Sequence, residues 1–469
     1  MIVLCRGRRL TLEDLCSAAA GDKVEVCGES YDSAASARAS YEGAAGVVYG
    51  RTTGLGALAG EEQGYWRGRE HTILVEHDLG VGPEAPREVV RAAMVVRASQ
   101  LAQGFAPVRP EVLRRVVDAV NGDLTPVVSL QGSVGASGDL APMARVARCL
   151  FYGEGEAVLG GRRLGCSEAL SRLGLKPLEL EAGEALALIN TNAYSVGMAM
   201  LGTCAALRLV RESIVVMRRS LAVMGCNPQH FSAAVAASKP AGPIGDVVSE
   251  LQGACQSSPR VQDPYCVRCV PQVYGAALEA IGFARGLLEG EASSSSENPI
   301  VYGGNVYHAC NFHAVGAAIA SDTVKVALAH VGNMVERRTA HLLSSADTGL
   351  PDFLAVKGSV VGAMIYQYTA ASLAAQLRSL ASPQSVHSIP TSGMQEDVVS
   401  MAPGSAFELL RAVASLARLI AVEEALAEEA SMVREGRGLR DPREALEASL
   451  GLVLRESQLD GLGFLRGLA

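Results

Sequence analysis

Five long stretches rich in Ala, Leu and Val, at 194–225, 271–290, 314–343, 358–381 and 405–430, constrain the fold of this chain more than any other feature. Few breaking signals fall inside them. From about residue 180 the pattern therefore predicts several antiparallel helices packed as a central bundle. Hydrophobic residues make up 49% of the 469 positions and aromatics only 4%, so small side chains carry the packing and helices can approach closely. The expected fold is mainly α: an elongated central helical bundle with a short C-terminal helical tail over 181–469, and a smaller mixed N-terminal region over 1–180.

The N-terminal region mixes short apolar runs with turns. The stretch 42–62 reads as a strand leading into a glycine-rich loop, and 87–105 and 111–122 have apolar residues at helical spacing. The pair Gly160-Gly161 predicts a hairpin turn within 157–165.

Within this region lies GSVGASGDLAPMA (132–144), in which Ala136-Ser137-Gly138 is flanked by Gly132 and Gly135. Small residues let such a loop fold tightly onto itself. If the Gly138 nitrogen attacks the Ala136 carbonyl and water is lost, the backbone closes into an imidazolone ring. Loss of a second water from Ser137 leaves an exocyclic methylidene, an electrophile absent from the ordinary side chains. Glycine at the third position leaves the nitrogen unhindered, and serine at the second can eliminate. The loop is also compatible with a plain structural role, in which Ser137 or Asp139 caps a helix over 140–151 with Pro142 in its first turn. A phosphate loop is excluded, because Gly132 and Gly138 are wrongly spaced and Asp139 stands where lysine is needed. A nucleophile elbow fails because Asp139 replaces its last glycine.

The net charge of −8 argues against nucleic acid and acidic membrane surfaces as partners. Eleven cysteines without a framework suggest reduced thiols, and Cys266 and Cys269 lack a second pair at zinc spacing, so no metal site is expected. The N-terminus carries no apolar core before Arg6, Arg8 and Arg9, which points to the cytoplasm. The uncharged runs 185–207 and 358–377 could span a bilayer by length, yet both contain polar residues. They are expected to be bundle helices buried all round, at a subunit interface and not in a membrane.

Further strings follow in order: VVYGRTTGLG (47–56), ILVEHDLGVG (73–82), ALINTNAYS (187–195), VQDPYCVRCVPQ (261–272), CNFHA (310–314), VERR (335–338) and SIPTSGMQEDVVSMAP (388–403). Together with the 132–144 loop they resemble the histidine and phenylalanine ammonia-lyase family, over about residues 45–425. The resemblance implies a mostly helical homotetramer with shared active sites. It also implies the cofactor 4-methylideneimidazol-5-one (MIO), formed from Ala136, Ser137 and Gly138, with no external cofactor and an amino acid as substrate.

Ammonia is a poor leaving group and the β-proton is barely acidic, so this chemistry needs an electrophile and a positioned base. The family motif makes Tyr49 that base, although Tyr49 also reads as a buried loop anchor. An unperturbed phenol titrates near ~10, so its neighbours would have to stabilise the anion. Tyr265 resembles the family's second tyrosine, near the ring. Arg268, three residues on, is suited to hold the substrate carboxylate in a fork, the alternative being a structural ion pair. Gln262 and Asn190 match positions lining the ring and the amino-acid end of the substrate, and Phe312 matches an aromatic packed beside the ring.

Substrate choice falls to three further matches. His77 stands where histidine- and tyrosine-specific members carry His, and would be left unpaired against a phenyl ring. Its alternative is a satisfied core histidine. Glu396 matches the acid that contacts imidazole in histidine lyases, and Met364 an apolar contact of the same pocket. The three together favour L-histidine, with urocanate as product.

The chain departs from the family in places. Asn-Gly-Thr becomes Asn190-Thr191-Asn192, Asn-Thr-Gly becomes Thr52-Thr53-Gly54, and Asn-Gln-Glu-Asp-His becomes Met394-Gln395-Glu396-Asp397-Val398. Ser-Asp-Asn-Pro becomes Ser296-Glu297-Asn298-Pro299. These changes keep open a tyrosine ammonia-lyase, an aromatic aminomutase, or a homologue that retains the fold without catalysis.

Overall fold

A computed structural model describes residues 1–255 and 260–467. Among the described residues the chain is mainly helical, with four small sheets. It divides into two units, each drawn from three segments. The first comprises Met1–Gly202, Arg285–Ser321 and Pro383–Phe407; the second comprises Thr203–Ala284, Asp322–Ser382 and Glu408–Ala469.

The first unit is built around the helix Arg87–Leu101, in which every residue from Glu88 to Leu101 is buried. Burial on all sides forces its polar side chains to find partners. Arg97 donates to Glu297 at 2.7 Å, both groups being about 1% exposed, and Arg91 donates to the carbonyl of Asp22 at 2.9 Å. The helix Pro110–Asn121 starts on a proline that needs no N–H partner and buries Val112, Leu113, Val116, Val117 and Val120 along one face. Strands Leu124–Pro126, Glu156–Leu159 and Arg162–Gly165 form an antiparallel sheet. Its hairpin turns at Gly160 (φ +54°) and Gly161 (φ +78°), the left-handed pair expected of this turn.

Most residues of the helices Ala193–Met224, Val270–Ala292, Val315–Leu342 and Ala402–Arg434 belong to the second unit. At its centre the guanidinium of Arg338 grips the Glu423 carboxylate at 2.6 and 2.7 Å, with both side chains fully buried. The Tyr274 hydroxyl accepts a further Arg338 N–H at 3.3 Å. A charge at that depth is tolerable only because it is paired.

Several expectations need correction. The stretch 42–62 contains no strand: Gly46, Gly50 and Gly56 adopt left-handed backbone, and Arg guanidinium groups satisfy its carbonyls. Arg51 donates to Ala44 O at 2.5 Å and Arg69 to Thr53 O at 2.8 Å, in place of a neighbouring strand. Neither Ser137 nor Asp139 caps the helix Ala141–Ala147, although Pro142 does sit in its first turn. The second uncharged run becomes helical only at Met364, because Gly358 and Gly362 hold left-handed turns before it. Within the single chain that helix is buried on one face only. It buries Tyr366, Ala370, Ala374 and Leu377 and exposes Ile365 and Tyr368, since the burying positions fall along one face. Not all cysteines are reduced either. Cys5–Cys27, Cys149–Cys166 and Cys226–Cys255 are disulfides with Cα atoms 5.2, 5.3 and 5.1 Å apart, a separation that folding alone creates. Cys266, Cys269 and Cys310 are free.

Candidate active site

The loop 132–140 is compressed. Gly132, Gly135 and Gly138 take φ of +149°, +65° and +79°. A Cβ on Gly138 would lie 2.6 Å from both the nitrogen and the oxygen of Thr191, so only glycine fits there. The Asp139 N–H donates to the Thr191 carbonyl at 2.7 Å, and the Asn190 amide donates to the Ser137 carbonyl at 2.7 Å. From the far side the Ser400 hydroxyl donates to Gly135 O at 2.9 Å.

Asp139 accepts from the Ser195 N–H at 2.8 Å and from the Ser195 hydroxyl, so it anchors the loop to the first turn of Ala193–Met224. Complete burial pushes this carboxyl up to about 6, against the lowering effect of the Ser195 hydrogen bonds.

Two cavities of about 580 and 380 Å³ meet the loop, and Tyr49, Gly56, Ser137 and Glu396 stand in the walls of both. His77 and Asn190 line the larger; Ala136, Phe312 and His308 line the smaller. Most of the residues singled out in the sequence thus converge on one place within the first unit. The buried Oδ1 of Asn190 has no hydrogen-bond partner among the described residues. A compressed glycine, a clamped Ser137 carbonyl and an unpaired amide oxygen beside the cavity fit an imidazolone ring formed from 136–138.

Tyr49 is held at both ends. Its N–H donates to His308 Nε2 at 3.2 Å, and its hydroxyl accepts the Gly56 N–H at 2.9 Å. Burial holds the phenol above its ordinary value; the Gly56 amide works against that rise and the Glu396 charge adds to it.

Glu396 has a partner on each oxygen. The Thr391 hydroxyl donates to Oε2 at 2.6 Å, and the Ser137 hydroxyl donates to Oε1. His77 Nδ1 lies 2.7 Å from the Ile73 carbonyl, one turn back on the helix Arg69–His77. A carbonyl accepts only, so Nδ1 carries the proton and a neutral His77 keeps Nε2 as an acceptor.

Four expected site residues lie elsewhere. Gln262, Tyr265, Arg268 and Met364 belong to the second unit and do not line either cavity. Tyr265 is 69% exposed, and Arg268 stacks over its ring at 4.8 Å without an ion pair among the described residues. Met364 opens the helix Met364–Leu380, where its sulfur accepts from the Tyr368 hydroxyl at 3.7 Å.

Thr391, His308, Gly56 and Ser195 escape sequence reasoning about the site. Thr391, Gly56 and Ser195 lie inside the strings 388–403, 47–56 and 187–195, with His308 just ahead of 310–314, yet a string does not tell which of its members faces the cavity.

Comparison with known proteins shows the family. The family profile described as aromatic amino acid lyase matches residues 10–450. The chain is 40% identical over 395 residues to the histidine ammonia-lyase of Paracidovorax citrulli, covering 80% of this chain and 76% of the relative. It is 38% identical over 477 residues to the histidine ammonia-lyase of Streptomyces avermitilis, covering 97% and 92%. Among solved structures, tyrosine aminomutase from Streptomyces globisporus superposes with a TM-score of 0.91 at 28% identity, over 99% of this chain and 98% of that one. With a compressed Ala-Ser-Gly loop, a tyrosine and an acid around one cavity, and a profile match over nearly its whole length, the chain belongs to the aromatic amino acid lyase family.

Proposed function

We propose that this chain eliminates ammonia from L-histidine to give urocanate, with MIO formed from Ala136, Ser137 and Gly138. When formed, that group supplies an electrophilic methylidene that makes the substrate nitrogen a better leaving group. Burial favours the neutral phenol, so Tyr49 must first give up its hydroxyl proton; its oxygen then takes the β-proton, the C–H electron pair becomes the new double bond, and the C–N pair departs with ammonia. The Gly56 N–H, donating to that oxygen, stabilises the anion. Asn190 fixes the Ser137 carbonyl from beneath.

The observation that carries the choice of histidine is that two acceptors, His77 and Glu396, line one cavity with Tyr49 and Ser137. An imidazole ring has N–H donors for such acceptors, and a phenyl ring has none. The similarity to a tyrosine aminomutase supports a second reading, since a phenol O–H could also donate to His77.

We further propose that the chain works as a homotetramer and that Gln262, Tyr265, Arg268 and Met364 complete the cavity of another copy. The exposure of Tyr265, together with an Arg268 free of ion pairs among the described residues, supports this. There Arg268 would fork the substrate carboxylate, Tyr265 assist proton transfer and Met364 pack on the ring.

The test is ultraviolet-monitored turnover of L-histidine, L-tyrosine and L-phenylalanine in parallel, on wild type and Glu396→Gln. Urocanate from histidine, with a large loss in the variant, supports the lyase. Cinnamate-type or β-amino products from tyrosine would redirect the reading to the second one.

A further inference from the structure

The two oxygens of Glu396 have different partners. Oε2 accepts from Thr391 and Oε1 from Ser137, and there is no third donor among the described residues. The Ser137 bond is temporary if the ring forms. When Ser137 dehydrates, its Cα–H proton and its hydroxyl leave as water and the Cα–Cβ double bond forms. Oε1 then loses its donor while Oε2 keeps Thr391. A half-buried carboxylate oxygen without a donor is unfavourable and accepts the next one that arrives.

Thr391 is itself firmly placed. Its N–H donates to Glu396 O at 3.0 Å and the Glu396 N–H returns to Thr391 O at 3.4 Å, closing the intervening loop. Inside that loop Ser392, Gly393 and Met394 take φ of +50°, +61° and +72°. Ser392 and Met394 are not glycine, and such residues persist in left-handed backbone only where the surroundings impose it. One such constraint is visible: the Ser392 hydroxyl accepts the Ala57 N–H at 3.0 Å, next to the Gly56 amide that holds Tyr49.

We propose that Thr391 is a positioning residue that holds Glu396 by Oε2, so that Oε1, uncovered as Ser137 gives up its hydroxyl, receives the ring N–H of the substrate. This rests on the histidine reading above. The same dehydration that makes the electrophile therefore opens the acceptor for the substrate ring.

The experiment compares Thr391→Val, Thr391→Ser, Glu396→Gln and the Val/Gln double variant by intact mass, urocanate dissociation constant, KM and kcat. Thr391→Val should still lose two waters, because positioning acts after dehydration. Its urocanate dissociation constant and its KM for histidine should rise about tenfold, the scale of one hydrogen bond to a charged group. Thr391→Ser should restore both, and the double variant should be little worse than Glu396→Gln alone. Wild-type binding in Thr391→Val beside a damaged Glu396→Gln would overturn the proposal, as would full additivity or a chain that keeps both waters. Should the valine variant fail to fold, Thr391→Ala takes its place in the same comparison. An undamaged Glu396→Gln would instead overturn the assignment of Glu396 to the substrate, whatever Thr391→Val does.

Discussion

Gly138 shows how a single residue decides chemistry through space. Any side chain there meets the Thr191 backbone at 2.6 Å, and the left-handed φ adds strain. Gly138→Ala should therefore yield a chain with no water missing by intact mass and no turnover. Asp139 gives a pH dependence whose sign follows from its raised carboxyl at about 6. An unfolded aspartate titrates near ~3.9, so the folded chain binds this proton more tightly. The contribution to stability is full below about pH 4 and is lost as pH rises through about 6. Calorimetry should show the melting-temperature advantage of wild type over Asp139→Asn shrinking between about pH 3.5 and about pH 7, settings placed either side of that window. The identities of Tyr49, Ser137 and Glu396 were readable because each sits in a distinctive string. The part played by Thr391 was not: it lies five residues from Glu396 in the same string, but its bond matters only because Glu396 meets Ser137 across 259 residues of chain.

At the scale of elements, the departure of Asn190-Thr191-Asn192 from the family pattern has a local compensation. The Thr191 hydroxyl donates to Gln100 at 2.7 Å and lies 3.0 Å from the Ser296 hydroxyl, while Asn192 bridges Gln100 and Glu291 at 2.7 Å each. Thr191, Asn192, Gln100 and Ser296 are buried, so removing one member leaves others unsatisfied. Thr191→Val should destabilise the protein by roughly 1–3 kcal/mol, read as a lower melting temperature. The Arg97–Glu297 pair below is more costly to break. Arg97→Met leaves a buried carboxylate alone and should cost about 3–5 kcal/mol in denaturant unfolding. The long helices were legible from spacing because burial repeats with the helical period. The stretch 42–62 reads as a strand because apolar residues beside glycine suggest one, whereas Arg51 and Arg69 supply the hydrogen bonds a strand partner would have made.

At the scale of the whole molecule, the proposed tetramer makes a sharp prediction. If Tyr49 and Tyr265 act in one site from different copies, Tyr49→Phe and Tyr265→Phe chains should each be nearly inactive. Co-expressed, they should regain activity, because some sites in mixed tetramers receive both intact tyrosines. Activity measured on mixed tetramers isolated with two affinity tags checks this; no regain would mean that each copy supplies both residues itself.

The sequence by itself determined the helical character of the chain, the tight turn at Gly160-Gly161 and the kinds of chemistry its Ala-Ser-Gly loop permits. Those properties are local: periodicity, backbone freedom and functional groups are written in neighbouring residues. Only the tertiary structure decided which groups meet. It drew three separated segments into each unit, brought cysteines within bonding distance and capped a distant helix with Asp139. It also set Glu396 between Ser137 and Thr391. Such partners are chosen by the packing of segments as far as 259 residues apart, and local sequence carries no record of that geometry.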